Sequence, residues 1–134
     1  MAAKIYHVHP LVAGPIRAWS GLFARVHAMG FDHVCIAPPF APTPDGDIFV
    51  TANHEALHPA LAWDGDADTG IAHLAAQAGA NGLRLMLDLV VHQVAVDATI
   101  RQRSPDWFST GFCGGPSDPR RAPARADEIG RAHV

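Results

Sequence analysis

From Leu85 to Val91 the chain reads Leu-Met-Leu-Asp-Leu-Val-Val, apolar at odd and even positions alike except for one carboxylate. A run without alternation suits a strand covered on both faces, as in parallel sheets. Asp88 inside such a strand requires a partner, because an isolated buried carboxylate is costly. Two shorter runs share this character: Ile5 to His9, stopped by Pro10, and His33 to Ala37, closed by Pro38-Pro39. Between the runs the period changes. Leu22, Phe23, Val26 and Met29 predict a helix over Ala18 to Met29, with Gly30 as its C′ residue. Ile71, Leu74, Ala75 and Ala78 share one face of a second helix, Asp68 to Ala80, capped by Asp68 and ending near Gly79 or Gly82. Pro42 to Asp47 reads as a turn-rich loop. With the third strand at Gly82 to Val91, the order is β-α-β-loop-α-β. Helical crossovers between strands predict a parallel sheet.

Composition narrows the class. Hydrophobic residues make up 49% of the 134 positions, so a packed core is expected. A formal charge of −3 gives no electrostatic case for nucleic acid. No apolar run approaches the ~20 residues of a membrane span, and the start, Met1-Ala2-Ala3-Lys4, lacks the long apolar segment expected of a secretory signal. Cys35 and Cys113 have no metal-like spacing. Cys35 sits in an apolar run and is expected to be a buried thiol. These features predict a cytoplasmic chain.

Several constellations carry candidate chemistry. His54-Glu55-Ala56-Leu57-His58 matches the zinc-protease string H-E-x-x-H, which works only on a helix, where both histidines share a face. Pro59 follows directly and drives His58 away from helical geometry, so the match reads as a loop. His7 and His9 lie two apart on a strand and share a face, where they could bind metal or substrate at the top of a barrel; strand-end hydrogen bonding is the more frequent role. Asp64, Asp66 and Asp68 resemble a calcium loop, but position twelve is Ala75 where the full pattern needs Glu. Gly111 to Gly115 matches no phosphate-binding spacing. Trp19, Trp107 and Phe108 have rings suited to a sugar face, though core packing is the commoner fate.

The tail differs in texture. Residues 111–127 are rich in Gly, Pro and Arg without periodicity and read as an irregular loop after a 1–110 unit. Glu128 to Val134 resembles the in-frame translation of a common sequencing adapter. Residues 128–134 are therefore expected to be an artefactual tail, the alternative being an ordinary C-terminus.

Four segments and a short motif together resemble the α-amylase superfamily, glycoside hydrolase family 13, nearest its maltosyltransferase-like members. Ile5 to Pro15 resembles the family's first strand and loop. Met29 to Ala41 resembles its second strand, GF-x-x-h-x-h-x-P-h-F. Asn53 to Pro59 takes the place of D-Y-x-x-V-D-P. Gly82 to Ala95 resembles the third strand with its D-h-V-x-N-H motif, and Ser104 to Phe108 resembles H-P-D-W-F. The resemblance implies an α/β fold: an incomplete TIM (β/α)8 barrel, its first three strands with their helices, in a parallel sheet. A complete barrel needs at least ~200 residues.

The resemblance also implies where a substrate would bind. Asp88 matches the family aspartate. His92 stands in place of Asn, and Gln93 in place of a sugar-binding His. Asn53 and His54 replace the Asp-Tyr pair. The substrate-binding candidates are therefore Asp88, Gln93 and His54, with an α-glucan or maltosyl substrate as partner. No metal, cofactor or membrane contact is implied. The family's reaction needs two carboxyl groups flanking the scissile bond, drawn from later strands. No catalytic residue is assigned here, and the fragment is expected to be inactive alone. The competing expectation is a non-catalytic amylase-like domain that binds glucan or serves as a scaffold.

Overall fold

The computed structural model describes residues 2–108 and 120–123. Cys113, the Gly111 to Gly115 cluster and the segment 128–134 lie outside the described residues.

The chain opens with strand β1 (Ile5–Val8) and the single-turn helix α1 (Pro10–Ala13). Helix α2 (Trp19–Ala28), strand β2 (His33–Ile36), and a hairpin of β3 (Phe40–Pro42) and β4 (Thr51–Leu57) follow. Helix α3 (Ala67–Ala80) leads into β5 (Arg84–Leu87). Strand β6 (Gln93–Ala95), helix α4 (Thr99–Arg103) and strand β7 (Arg121–Pro123) complete the described elements.

Strands β1, β2 and β5 form a parallel sheet in that order. Helices α2 and α3 supply the crossovers predicted from the sequence, and together they cover one face. On that face Val34 and Ile36 are fully buried against Trp19, Phe23, Val26, Leu74 and Ala78. The helical spacing of Trp19, Phe23 and Val26 turns a single stripe of α2 onto the sheet. Burying each large apolar side chain stabilises the fold by about 1.5–3 kcal/mol. Both long helices end as the sequence predicts, since Gly30 and Gly82 follow them with φ of 89° and 75°. Only glycine adopts that backbone without strain.

Among the described residues, no helix covers the opposite face of the sheet. Ile5 and Met86 stand 45% and 39% exposed there. In a closed barrel this face would line the interior. Here it is open.

Three expectations are corrected. The third strand is shorter than the apolar run: it spans Arg84–Leu87, and Asp88 follows it, exposed. The carboxylate therefore faces solvent and needs no buried partner. What anchors the position is its backbone, whose N–H donates to the Ile36 carbonyl at 2.8 Å. The cap of α3 is Asp66, not Asp68; its Oδ1 accepts from the Thr69 N–H at 2.8 Å, and Asp68 sits in the first turn. Cys35 is half-buried, because its side of β2 is the one the helices leave open.

The sequence did not predict the β3–β4 hairpin. It is antiparallel, with register shifts on either side of Ala41. Pro42, which has no N–H to donate, ends its strand. A smaller core sits beside the hairpin, where Val50, Val94, Ala95, Ala98, Phe108 and Ala122 are buried together. Strand β7 falls inside the span read as irregular. It pairs antiparallel with β6 through Val94 and Ala122.

Candidate functional site

Polar groups gather at the C-terminal ends of the parallel strands. His9 follows β1, and its Nδ1 accepts from the Leu11 N–H at 3.3 Å, capping α1. His58 follows β4, and its Nδ1 accepts from the Ala60 N–H at 3.0 Å. The His58 N–H reaches back to the Pro39 carbonyl beyond β2, at 2.7 Å. Each histidine precedes a proline that opens a helical turn, and each Nδ1 accepts a backbone N–H at a helix start. Burial, then the charge of His9, pulls the His58 pKa below the ordinary histidine value.

The H-E-x-x-H string lies on β4 and the turn after it. A strand does not place two histidines four apart in the helical arrangement that zinc proteases use. His54 instead packs its ring on Phe40, with centroids 5.3 Å apart. Glu55 pairs with Arg103 of α4 at 2.5 Å. Strand β4 thereby forms one wall of a cavity of about 730 Å³. Asp66 and Asp68 at the start of α3, Leu87 and Leu89 at the end of β5, and Trp107 form the other walls. Apolar surface and rings alternate there with three carboxylates and one guanidinium, a composition that suits a polyhydroxylated ligand with apolar ring faces. The Asp66 carboxyl is held below the usual carboxylate range, first by the Thr69 backbone N–H and then by the Thr69 side chain.

The three substrate-binding candidates do not converge. His54 lines the cavity; Asp88 and Gln93 are not among its lining residues. Asp88 sits at the open end of β5, close enough to Cys35 for its charge to raise the thiol pKa further, after the larger effect of burial. Gln93 is buried on β6, where its amide donates to the Phe49 carbonyl at 3.4 Å and accepts from Arg121 at 3.3 Å. Trp19 is a core residue, with its indole N–H on the Gly14 carbonyl at 2.8 Å. Phe108 is buried in the smaller core. Of the aromatic candidates, Trp107 faces the cavity.

Residue-by-residue reasoning missed Arg103 and the pairing of Glu55 with it. The two are 48 positions apart, and no local pattern signals such a pair.

The fold has clear relatives among solved structures. The chain superposes on a noncanonic maltogenic α-amylase from Thermotoga neapolitana with a TM-score of 0.75, covering 95% of this chain and 33% of that one at 15% identity. An α-glucosyl transfer enzyme gives 0.72 over 98% of this chain and 32% of that one, also at 15% identity. An α-amylase from Lactobacillus plantarum gives 0.71 over 91% and 31%, again at 15% identity. The chain has the fold of part of an α-amylase-type barrel. Its parallel sheet and covering helices are the partial α/β barrel that the sequence resemblance implied.

In sequence, this chain is 31% identical over 134 residues to the α-1,4-glucan:maltose-1-phosphate maltosyltransferase of Burkholderia pseudomallei. That match takes in 99% of this chain and 12% of the relative's length. No protein-family model matches. Among the described residues, no helix is long and apolar enough to cross a membrane.

Proposed function

We propose that this chain supplies the first β/α units of a cytoplasmic barrel that acts on α-glucans, and that it is inactive without the rest of that barrel. The observation that carries the reading is the match to a maltosyltransferase along nearly the whole chain, at 31% identity. A relative of that name transfers maltosyl units from maltose 1-phosphate to α-1,4-glucan. Chemistry of that kind, if it retains configuration, needs a nucleophilic carboxylate and an acid/base carboxylate about 5–5.5 Å apart across the bond. The reading assigns neither role to any residue here. It gives Asp88, Gln93 and His54 to substrate binding.

A second reading has its own support. Gln93 is occupied at both ends of its amide, by Phe49 and Arg121, and is not free to meet a sugar in this conformation. His92-Gln93 also replaces the family's Asn-His. Both facts favour an amylase-like domain that binds glucan or acts as a scaffold without turnover.

The experiment is a titration of the chain with maltoheptaose, followed by amide NMR, beside a turnover assay with maltose 1-phosphate and glycogen. The leading reading expects weak, saturable shifts near His54 and Asp88 and no turnover by the chain. It also expects turnover when the chain is joined to the downstream barrel of a relative. Turnover by the chain alone removes the claim of inactivity. A joined barrel that binds glucan yet stays inactive establishes the scaffold reading.

A further inference from the structure

Helix α3 stops on the pair Asn81-Gly82. Asn81 is the half-buried C-cap, with its N–H on the carbonyls of Ala78 and Gly79. Its side-chain Nδ2 donates to the Gln77 carbonyl at 2.8 Å. The Gly82 N–H donates to the Gly79 carbonyl at 3.0 Å, and the Leu83 N–H to the Ala78 carbonyl at 2.9 Å, just before β5 begins at Arg84. The fold demands glycine at position 82 twice over. Its φ of 75° strains any side chain, and a Cβ there would stand 2.9 Å from the His27 ring of α2. These partners lie on α2, on α3 and at the start of β5, all within the described residues.

That demand creates a reactive pair. The side-chain carbonyl of an asparagine is one five-membered ring away from the next backbone nitrogen, and glycine has no Cβ to hinder the closure. We propose that Asn81-Gly82 is a self-modification site, at which the chain converts its own helix stop into aspartate and isoaspartate. The Gly82 nitrogen attacks Asn81 Cγ. The N–Cγ bond forms, the Cγ–Nδ2 bond breaks, and Nδ2 leaves as ammonia with the proton that Gly82 N–H gives up. Water then opens either carbonyl of the succinimide, giving aspartate through one and isoaspartate through the other. No oxidant or cofactor takes part.

The helix stop governs the rate. In the closed form Gln77 holds the leaving amide and Gly79 holds the attacking nitrogen. Fraying of the last turn frees both together. The product then loosens the stop that restrained it. A carboxylate has no hydrogen to give the Gln77 carbonyl, and its charge meets the negative end of the α3 dipole. Isoaspartate also lengthens the main chain by one methylene between α3 and β5. The proposal does not rest on the glucan reading.

The test is to incubate the full chain at mildly alkaline pH. Conversion is followed by peptide mass spectrometry and by isoaspartyl methyltransferase labelling. The sequence's other asparagine, Asn53, lies in β4 ahead of His54 and is the internal control. Conversion at Asn81 is expected to run at least about tenfold faster than at Asn53, glycine being the less hindered neighbour. It should be slower in the folded chain than in concentrated urea, and should accelerate in urea below the unfolding midpoint. Asn81→Gln, which keeps a side-chain amide but closes the ring poorly, should abolish it. Asn81→Asp, which carries the product's carboxylate, should lower the melting temperature and speed amide exchange at Leu83. A folded chain that stays intact at Asn81 while the urea-unfolded chain converts would overturn the proposal. So would equal rates at Asn81 and Asn53, equal rates in the folded and unfolded chains, or an Asn81→Asp chain as stable as the unaltered one.

Discussion

Arg103 pairs with Glu55 at 2.5 Å and so fastens α4 against the hairpin strand β4. The side chains are 59% and 60% exposed. Solvent screening keeps such a pair weak, at about 0.2–1 kcal/mol. A double-mutant cycle of Arg103→Ala and Glu55→Ala, read by urea unfolding, is expected to return a coupling in that range. The coupling should shrink as salt is raised. A coupling above about 2 kcal/mol would mean that the pair is shielded from water in a way this geometry does not provide.

Gly70 is where α3 meets the hairpin. A Cβ at this position would collide with the end of the Leu57 side chain and stand 3.0 Å from Trp63 Cδ1. Gly70→Ala should therefore destabilise the chain by about 1–3 kcal/mol, an overpacking cost that outweighs the helix propensity of alanine. Gly79→Ala, on the same helix with open space around it, should instead be neutral or stabilising. The two melting temperatures, compared side by side, check the argument.

His58 makes the fold sensitive to mild acid. Its pKa is lowered in the folded state, first by burial and then by His9, so the folded chain prefers the neutral ring. The contribution is fully present above the ordinary histidine value of 6.5. It is lost as pH falls below that value and through the lowered folded pKa. Protonating Nδ1 also removes the acceptor that caps Ala60. Unfolding midpoints measured from pH 7.5 down to pH 5 should fall. His58→Asn retains a capping acceptor but cannot titrate, and it should flatten that dependence.

Gln93 bridges the smaller core, between Phe49 and Arg121. Gln93→Leu removes both hydrogen bonds at a buried position, and a loss of about 1–3 kcal/mol is expected. Backbone amide exchange should accelerate in β6 and β7 while the parallel sheet keeps its protection. Uniform acceleration through β1, β2 and β5 would show that the two cores unfold as one.

The parallel sheet was legible because its signals are local and mutually consistent. Apolar runs of strand length alternate with stripes at helical spacing, and glycines stand where each helix must turn. The β3–β4 hairpin was hidden for an equally physical reason. Thr51 to Leu57 contains Asn, His and Glu in succession, and its pairing depends on Phe40 and Pro42 across a long loop. Asp88 was misplaced because an apolar run records burial without recording where the hydrogen-bonded ladder ends. His54 was reached through family resemblance, and the wall built around it by Arg103 and Trp107 depends on contacts far apart in sequence.

In the sheet, spatial order repeats chain order: β1 pairs with β2, and β2 with β5. Each strand finds its partner already made. A polypeptide leaving the ribosome at about 5–20 residues per second can lay down one strand, cover it with a helix and offer a fresh edge to the next. Among these three strands, none has to wait for a distant one. The edge of β5, which pairs with no other strand among the described residues, is in this sense a template, laid down after the two strands it extends.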